Sequence, residues 1–581
     1  MKDFLPTWLA GQRWYAGKGR RPQLRRLGGF RFEDPEGEVG VETHITADVS
    51  VSPPVVYQVP LSYRAAPLPG AEHALVSTTE HSELGRRWVY DATHDPVYVR
   101  ALLRLVLTSG GPRPPETPQP PGREPEVVLG HHTSGPTDVG LASSSVLRGE
   151  QSNTSIICTV HDPSGTRAEP IIVKVFRTLQ AGDNPDVVVQ SALTGAGSTQ
   201  VPETIGYVSG HWLAPDHVEA RGRHEADIDG RLKADIDART RVVNQIQRDR
   251  DAAAAVHTAQ KAQVARHRAV EVARRREEMR PSLHDALLGD KEQLGRVIDT
   301  TGLPDPDAVP APTLPTRDLP RIPGRGEFPE FVAEVVGGHL VLAQRFFPGV
   351  EDAWRVAVRA AGSGTDFTPA ARELGGATAR IHVSLAAALG TVTASEQARQ
   401  ALLDSIRARY AAALGEVPAL AGHERAVHGI LDAFGALPWP DLQRVHGDYH
   451  LGQVLRVAGR GWVAVDFEGE PLRPLSERVR PDLALRDVAG MLRSFDYAGG
   501  SVELGRPDTS ARVWVEGCRA AFLDGYAAMT GLDLAAAAPM IRALELDKAL
   551  YEVVYEARNR PTWLAIPATA IDRLIADKGL S

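Results

Sequence analysis

Cysteine is nearly absent from this chain, whose 581 residues include only Cys158 and Cys518, far apart in the sequence. Two distant cysteines support neither a disulfide framework nor a cysteine-rich metal cluster, so we predict two small buried side chains. Long apolar runs are also missing. No window reaches the roughly eighteen apolar residues of a membrane span, and residues 1–20 lack the apolar stretch of a signal peptide. The sequence therefore predicts a cytoplasmic protein that does not bind membranes.

Positive charge is also in short supply, since 65 lysines and arginines face 73 aspartates and glutamates, for a formal net charge of −8. Such a chain has no general attraction to nucleic acid. What is present is a globular composition, with 43% hydrophobic and 24% charged residues. The length predicts two or three domains, each able to bury a core of its own.

A polar loop late in the chain, with the sequence RVHGDYHLGQVL, carries the clearest chemical signal. Asp448 and Gln453 have the spacing of the aspartate and asparagine in a protein-kinase catalytic loop, with glutamine in place of asparagine. Phosphoryl transfer needs a carboxylate that takes the acceptor proton and metal ions that bridge the phosphates. We predict Asp448 as the base and Gln453 as a metal ligand. A zinc site at His446 and His450 is disfavoured, because Gly447 argues against the helix that such a pair needs.

A second acidic motif follows this loop at the end of a predicted strand. The apolar run GWVAV leads into Asp466-Phe467-Glu468, which occupies the place of the kinase D-F-G motif. We predict that Asp466 is the second metal ligand. A loop with a purely structural aspartate is the alternative to the first motif, and the presence of the second motif at the expected place weighs against it.

A strand lysine is the third kinase element. Lys174 lies in the apolar sequence VKV, which suits the lysine that pairs with nucleotide phosphates, although an ordinary edge-strand lysine has the same pattern. The next helix begins at Asn184-Pro185 but has no glutamate at residues 187–190, so the acidic partner of Lys174 stays open, with Asp186 as a candidate. Backbone N–H groups and hydroxyls could cradle phosphates within a predicted strand over residues 143–159. The candidates there are Gln151, Ser152, Asn153, Thr154 and Ser155.

These motifs together resemble the actinobacterial maltokinases, a branch of the aminoglycoside-phosphotransferase-like kinases. The resemblance also includes QRWYAG near the N-terminus, RDVAGMLRSF after the second acidic motif, and YEARNRPTW near the C-terminus. It covers nearly the whole chain except a large insertion. The resemblance implies an α+β, bilobal protein-kinase-like fold, with a β-rich N-lobe, a helical C-lobe and an N-terminal β-rich cap domain. It also implies ATP-dependent phosphorylation of maltose at its anomeric hydroxyl, with ATP and Mg²⁺, to give maltose 1-phosphate for α-glucan synthesis.

Composition changes along the chain predict its domain boundaries. Proline and glycine crowd the segment after residue 108 and indicate a linker. The sequence VAEVVGGHLVLAQ predicts a hairpin that turns at Gly337-Gly338, and in the kinase interpretation it leads into a hinge where the backbone around Gln344 holds adenine. The predicted segments are a cap domain at 1–108, a linker at 109–136, an N-lobe and intermediate domain at 137–350 and a helical lobe at 351–581.

The insertion spans residues 219–325 and departs from the family pattern. Residues 231–280 contain neither glycine nor proline and have only a sparse helical rhythm of apolar residues, which predicts a long solvated helix or a helical hairpin. A proline-rich tract at 304–323 is predicted to be a flexible return. This helical insertion, which is basic, either docks a protein partner or simply exposes its charged side chains to solvent.

A stripe on a C-terminal helix is the predicted sugar site. Lys548, Tyr551, Glu552 and Tyr555 repeat at i, i+3, i+4 and i+7, and such a face offers rings to sugar C–H groups and fixed polar groups to hydroxyls. A solvated helix face is the alternative. The maltokinase resemblance places the disaccharide here. It adds four further candidates for substrate contact: His450, Glu468, Arg560 and Trp563.

A carboxylate near the start of another helix is the last candidate. Asp487 is either an N-cap or, as the resemblance implies, a residue that steadies the catalytic loop together with His446. Two alternatives to a maltokinase also stay open. A glucosamine, aminosugar or aminoglycoside kinase would use the carboxylates Glu468, Glu470, Glu552 and Glu556. A non-catalytic nucleotide-binding scaffold would act through the helical insertion.

Overall fold

The computed structural model describes residues 4–110, 128–147, 152–280, 298–332, 334–470 and 473–576. The chain divides into two compact units, one formed by Met1–Pro215 with Glu334–Ser581 and the other by Asp216–Ala333. Within the described ranges, no helix has both the length and the apolar character needed to cross a membrane. Cys158 and Cys518 are free and buried, as predicted.

The larger unit begins with an antiparallel sheet built from the β-branched and aromatic runs of the sequence. Its five consecutive strands are β1 Leu24–Phe32, β2 Gly40–Asp48, β3 Val55–Arg64, β4 Leu75–His81 and β5 Gly85–Asp91. They are hydrogen-bonded in the order β1-β2-β3-β5-β4. Helix α1 Leu5–Ala10 precedes the sheet, and helix α2 Pro96–Thr108 follows it. The N-terminus of α2 is capped by Asp95, which accepts a hydrogen bond from Val97 N.

A second six-stranded sheet follows, and all its neighbouring strands are antiparallel. Its strands are β6 Val128–His132, β7 Gly140–Val146, β8 Asn153–His161, β9 Ile171–Phe176, β11 Thr204–Leu213 and β12 Val335–Arg345. They are paired in the order β6-β11-β12-β9-β8-β7. The short strand β10 Thr178–Leu179 follows β9 in the chain but belongs to the first sheet, where it pairs with β3. Helix α3 Pro185–Gly195 then leads to β11.

Three local predictions differ from this sheet. The single strand predicted over 143–159 corresponds to two antiparallel strands, β7 and β8. The segment predicted as a linker contains a strand, Val128–His132. The hairpin predicted at Gly337-Gly338 is wrong, because β12 runs through both glycines and pairs with β11. A Cβ on Gly338 would lie 2.7 Å from the carbonyl oxygen of Gln180 and 2.8 Å from the Trp212 ring. The glycine therefore allows a close approach within a strand rather than a turn.

The smaller unit contains one very long helix, α4 His217–Glu278, with 62 residues. At 1.5 Å per residue it extends about 93 Å. The segment 298–332, which contains the proline-rich tract, runs back along it, and three helix side chains donate to backbone carbonyls of this segment. Arg275 Nη1 donates to Asp299 O at 2.7 Å, His257 Nε2 to Val309 O at 3.1 Å and Arg239 Nη1 to Pro320 O at 3.1 Å. An extended proline-rich chain leaves its carbonyls free for such donors, which explains why this return lies against the helix.

The rest of the larger unit is helical around a buried core that includes Leu374, Phe434, Phe495 and Leu550. Two small hairpins interrupt it: β13 Thr391–Val392 with β14 Leu442–Gln443, and β15 Val454–Val457 with β16 Gly461–Ala464. The helices are α5 Ala353–Ser363, α6 Thr368–Leu389, α7 Glu396–Glu416, α8 Glu424–Ala436, α9 Leu475–Arg478, α10 Leu485–Gly505, α11 Arg512–Thr530, α12 Leu534–Asn559 and α13 Ala565–Ala576. The predicted fold class, with a β-rich first part, a β-rich lobe, a helical lobe and a long charged helix, is confirmed.

Candidate active site

Lys174 lies at the centre of a cleft between the second sheet and the helical lobe. It sits on β9, which pairs with β8 on one side and β12 on the other. Its Nζ is 2.8 Å from Asp186 Oδ2 and 2.7 Å from Asp466 Oδ1. Burial alone would lower the pKa of Lys174, but the carboxylates of Asp186, Asp466 and Glu468 outweigh burial and raise it well above its usual value. The lysine is therefore a fixed cation.

Asp186 is the acidic partner of Lys174 that the sequence left open. Asn184 caps helix α3, so Asp186 lies in the first turn of that helix and faces the lysine. Its other oxygen, Oδ1, accepts from Phe467 N at 2.7 Å and from Gln190 Nε2 at 2.6 Å. The carboxylate thus joins the lysine strand, helix α3 and the second acidic motif.

Asp466 and Gln453 offer oxygen ligands at the inner wall of this cleft. Gln453 Nε2 donates to Asp466 Oδ2 at 3.0 Å, and the backbone of Asp466 has a φ of 67°. A left-handed aspartate is uncommon and occurs at functional sites. Oxygen atoms of Asp186, Asp466 and Glu468 all lie within 4.8 Å of one another. Because Mg²⁺ prefers carboxylate and carbonyl oxygens, these residues fit a magnesium ion.

The cleft beside these residues has a volume of about 350 Å³. Ser152, Asn153 and Ser155 line it from the sheet, and Gln344 lines it from β12. Thr154 does not, which corrects its predicted role. Successive side chains of a strand point to opposite faces, and the Thr154 hydroxyl accepts from Arg177 Nε at 2.8 Å on the other face. Gln151 lies outside the described residues.

Asp448 follows strand β14 and is held by a cation from helix α12. Lys548 Nζ lies 3.0 Å from Asp448 Oδ1 and 2.7 Å from Glu470 Oε1. Burial alone would raise the pKa of Asp448, but Lys548, His450 and His446 outweigh burial and lower it to about 2. Burial alone would lower the pKa of Lys548, but the carboxylates of Asp448 and Glu470 outweigh burial and raise it. The Asp448 carboxylate is therefore ionised at neutral pH.

His446 connects the two acidic motifs. Its Nε2 donates to Val465 O at 3.0 Å, directly before Asp466, which leaves Nδ1 to accept from Asp448 N at 3.4 Å. The imidazole also packs on Phe467, with ring centroids 4.5 Å apart. His450 caps the short turn Leu451–Gln453, where its Nδ1 accepts from Gly452 N. Burial lowers the pKa of His450.

Asp487 supports the same loop from helix α10. The helix begins at Leu485 after Ala484, so the N-cap interpretation of Asp487 is wrong. Its carboxylate instead accepts from His446 N at 2.8 Å, Gly447 N at 2.9 Å and His382 Nε2 at 3.0 Å. A Cβ on Gly490 of this helix would lie 2.6 Å from Tyr449 O, so the missing side chain lets the loop pack closely. Asp487 thus fixes the position of the loop.

The predicted sugar stripe on α12 is partly occupied by ion pairs. Glu552 is buried, and its Oε2 accepts from Arg493 Nη2 at 2.6 Å and Nε at 3.0 Å. Lys548 belongs to the Asp448 site, and its Nζ lies 5.1 Å from the centroid of Tyr551. The rings of Tyr551 and Tyr555 stack with centroids 6.5 Å apart. Two tyrosine rings and one ammonium therefore form the accessible part of the stripe.

The other predicted sugar contacts are divided between two places. Arg560 lies over the rings of Tyr555 and Trp563, at 5.5 Å and 4.8 Å from their centroids, and so extends the row of rings. Glu468 lies instead with Lys174, 4.0 Å from its Nζ, and accepts from Asn153 Nδ2 at 2.9 Å. Burial raises the pKa of Glu468 to about 7, with Lys174 opposing.

The residue that joins the stripe to the catalytic loop is Glu470, two positions after Glu468. From the sequence, Glu470 has a role only in the aminosugar alternative. Its signal was its position in the motif DFEGEP, but the contact with Lys548 spans 78 residues and is not visible in any local pattern. Arg493 was missed for the same reason, although it is completely buried.

Comparisons with known proteins show which kinases this chain resembles. Residues 8–95 match the family described as maltokinase N-terminal cap domain. A glucosamine kinase of Streptacidiphilus jiangxiensis is 33% identical over 254 residues, which are 40% of this chain and 57% of that protein. A glucosamine kinase of Mycolicibacterium smegmatis (strain ATCC 700084 / mc(2)155) is 29% identical over 263 residues, 42% of this chain and 64% of that protein. The chain therefore spans about six tenths of the length of these curated relatives.

Solved structures share the fold. A glucosamine kinase in complex with glucosamine, ADP and inorganic phosphate superimposes with a TM-score of 0.54 at 17% identity, over 99% of this chain and 100% of that chain. A second crystal form gives the same TM-score and identity. At this identity the likeness establishes the kinase-like fold alone. The resemblance to the maltokinases predicted from the sequence is confirmed, and it is carried by the N-terminal cap domain.

Proposed function

We propose that this chain is an ATP-dependent sugar kinase that phosphorylates maltose on its anomeric hydroxyl, giving maltose 1-phosphate for α-glucan synthesis. The observation that carries the proposal is a continuous set of contacts across one cleft. Lys174 pairs with Asp466, and His446 joins the residue before Asp466 to the backbone of Asp448. A lysine for the nucleotide phosphates, an aspartate that follows a strand and a candidate base therefore belong to one site.

The nucleotide half of the site is formed by the sheet. Lys174 supplies a fixed positive charge for the phosphates, and Asp186 keeps its ammonium in place. Gln344, Arg345 and Phe346 line the part of the cleft where adenine is expected. Asp466 and Gln453 would hold Mg²⁺, which would supply positive charge for the phosphates.

The transfer step uses Asp448. The proton of the anomeric hydroxyl passes to the carboxylate while the sugar oxygen forms a bond to the γ-phosphorus. The bond from that phosphorus to the β,γ-bridging oxygen breaks, and ADP leaves. Lys548 contacts Oδ1 of Asp448, and no donor to Oδ2 is found among the residues that the structure describes. Oδ2 is therefore the oxygen available to the hydroxyl.

The ring row on the helical lobe favours a disaccharide. Beyond Lys548, the rings of Tyr551, Tyr555 and Trp563 follow one another with Arg560 between the last two. Sugar C–H faces pack on aromatic rings, and a row of rings suits an acceptor longer than one sugar unit. The match of residues 8–95 to the maltokinase cap domain points in the same direction.

A glucosamine kinase is the second candidate. The curated relatives that match this chain have that activity by name, and Glu470 places a buried carboxylate beside the catalytic loop. An amino group of the acceptor would need such a partner. Because Glu470 is already paired with Lys548, the aminosugar would have to displace that lysine.

ATP turnover with maltose, glucosamine and glucose tests both candidates. We expect turnover with maltose, and ³¹P and ¹H NMR spectra that place the new phosphate on the anomeric oxygen. Turnover with glucosamine alone would replace the proposal by the second candidate. No turnover with any sugar, together with ATP binding, would favour a nucleotide-binding scaffold.

A further inference from the structure

A second groove, separate from the nucleotide cleft, lies where the first sheet meets strands β7 and β8. Its volume is about 710 Å³, and it shares no lining residue with the cleft. Arg13, Trp14, His73 and His94 line it from the first sheet and its flanking turns, and Ser144 and Ser145 line it from β7. We call these six residues and the space between them the cap groove.

Its polar groups are available for a ligand. The side chains of Arg13, His73 and His94 make no hydrogen bond or ion pair with any residue in the described part of the chain, and the two imidazoles only contact each other, with centroids 4.8 Å apart. The carboxylate that also lines the groove, Asp91, is fully engaged. Arg177 Nη2 lies 2.8 Å from its Oδ1 and 2.6 Å from its Oδ2.

The groove therefore has a positive character. Arg177 pairs with Asp91, which leaves the guanidinium of Arg13 without a salt bridge in the described part of the chain, while Asp91 still attracts His94. Burial lowers the pKa of His94, and the charges of His73, Arg177 and Arg13 lower it further while Asp91 opposes them. An anion bound beside Arg13 would raise the pKa of His94 and so favour its charged form.

The shape and lining suit a small organic molecule. A volume of several hundred cubic ångströms is typical of small-molecule sites. Trp14, Leu68 and Pro69 supply apolar walls, and Ser144 and Ser145 supply hydroxyls. The planar guanidinium of Arg13 matches a phosphate, to which it can donate two parallel hydrogen bonds.

We propose that the cap groove binds a metabolite with a phosphate monoester on a polyhydroxylated body, either a sugar phosphate or a nucleoside monophosphate. Arg13 and the two imidazoles hold the phosphate, and the serines and the apolar wall hold the body. Such binding does not require the proposed kinase activity. It concerns a different set of residues from the nucleotide cleft.

Isothermal titration calorimetry of the full chain with glucose 6-phosphate, adenosine 5′-monophosphate and inorganic phosphate tests the proposal. Four variants are compared with the unmodified protein. Arg13→Gln and His94→Gln alter the cap groove, Arg87→Gln removes a cation of the same sheet outside the groove, and Lys174→Met alters the nucleotide cleft. Thermal unfolding checks that each variant is folded, and Arg13→Gln, whose side chain is exposed, is the variant least able to disturb folding.

We expect one of the two organic phosphates to bind equally to the unmodified protein, Arg87→Gln and Lys174→Met. Binding to Arg13→Gln and His94→Gln should be weaker by about tenfold or more, the usual effect of losing a hydrogen bond between charged groups. The better of the two probes identifies the body of the ligand. Unchanged binding to both groove variants, loss of binding only in Lys174→Met, or no binding of any probe at about 10 mM would overturn the proposal. The sugar-turnover assay does not depend on these outcomes.

Discussion

The ammonium of Lys548 and the carboxylate of Asp448 form an ion pair across 100 positions of the chain, with Nζ 3.0 Å from Oδ1. Burial raises the pKa of the aspartate, but Lys548 together with His450 and His446 outweighs burial and lowers it to about 2. A carboxylate with so low a pKa is a weak base in the protein without bound substrate. In the proposed reaction Asp448 would orient the hydroxyl and accept its proton late, as the oxygen bonds to phosphorus.

Replacing Asp448 tests this role most directly. Asp448→Asn keeps the shape but cannot accept the proton, so kcat should fall about 10²- to 10⁴-fold while KM for the sugar changes little. Steady-state ATP turnover measures both constants. The exposed Asp441, seven positions earlier, provides the control Asp441→Asn, which should turn over normally. Near-normal turnover of Asp448→Asn would show that another group takes the proton.

Removing the cation should change the pH dependence of the rate. In the unmodified protein Asp448 is ionised at every pH well above about 2, so its titration does not limit the rate near neutral pH. In Lys548→Met, burial is opposed only by the two histidines, and the pKa of Asp448 should rise. We expect the acid limb of the kcat profile to move to higher pH. Lys233→Met, on the exposed face of α4, should leave the profile unchanged, and an unshifted limb in Lys548→Met would contradict the pairing.

The ion pair between Asp186 and Lys174 should govern ATP binding. Asp186→Asn removes one of the carboxylates around the lysine, which keeps Asp466 and Glu468, and replaces one acceptor oxygen by an amide NH₂ group. We expect KM for ATP to rise about tenfold, the equivalent of one lost charged hydrogen bond, with a smaller change in the KM for sugar. Fluorescent-nucleotide titration gives the affinity directly. The exposed Asp183 supplies the control Asp183→Asn, and equal affinities for the two variants would remove Asp186 from the nucleotide site.

The sequence and the structure agree where chemistry follows local spacing. Lys174, Gln453 and Asp466 could each be named from a short motif, and the structure brings all three to one cleft. Asp186 could be listed only as a candidate, because its contact with Lys174 depends on how α3 packs. The assignment of Thr154 was wrong because strand register decides which residues of a polar run face the cleft. Gly337-Gly338 looked like a turn, since no local signal shows that Trp212 and Gln180 approach that strand.

A buried ion pair joins the first sheet to the second. Arg177 is completely buried, its Nη2 contacts both oxygens of Asp91, and its guanidinium carbon lies 5.0 Å from the centroid of the Trp14 ring. Asp91→Asn would leave that charge unpaired, which costs about 3–5 kcal/mol in other proteins. We expect a loss of this size in the free energy of unfolding measured by denaturant titration. Arg359→Gln, which breaks an exposed pair with Glu351, should cost only about 0–1 kcal/mol.

The same pair predicts how stability responds to acid. Burial would raise the pKa of Asp91, but Arg177 outweighs burial and lowers it below the ordinary carboxyl value. The unfolded chain therefore binds a proton at a higher pH than the folded chain does. The stabilisation is fully present above the ordinary pKa and is lost as the pH falls through the lowered one. The difference in stability between the unmodified protein and Asp91→Asn should shrink over that range, and a constant difference would contradict the assignment.

Strands β11 and β12 are the two arms of a hairpin whose turn has been replaced by the smaller unit. Leu213 pairs with Val335, and Ala214 N donates to Glu334 O at 3.0 Å. Replacing residues 215–333 by Asn-Gly, the preferred two-residue hairpin turn, should therefore leave the larger unit folded. We expect a thermal midpoint within a few degrees of the unmodified one, about the effect of 1 kcal/mol or less, and unchanged sugar turnover. A control with Gly-Gly in place of Asn-Gly separates the turn sequence from the deletion. Loss of turnover in a folded deletion variant would show that the long helix takes part in the reaction, and loss of a binding partner with normal turnover would make it a docking element.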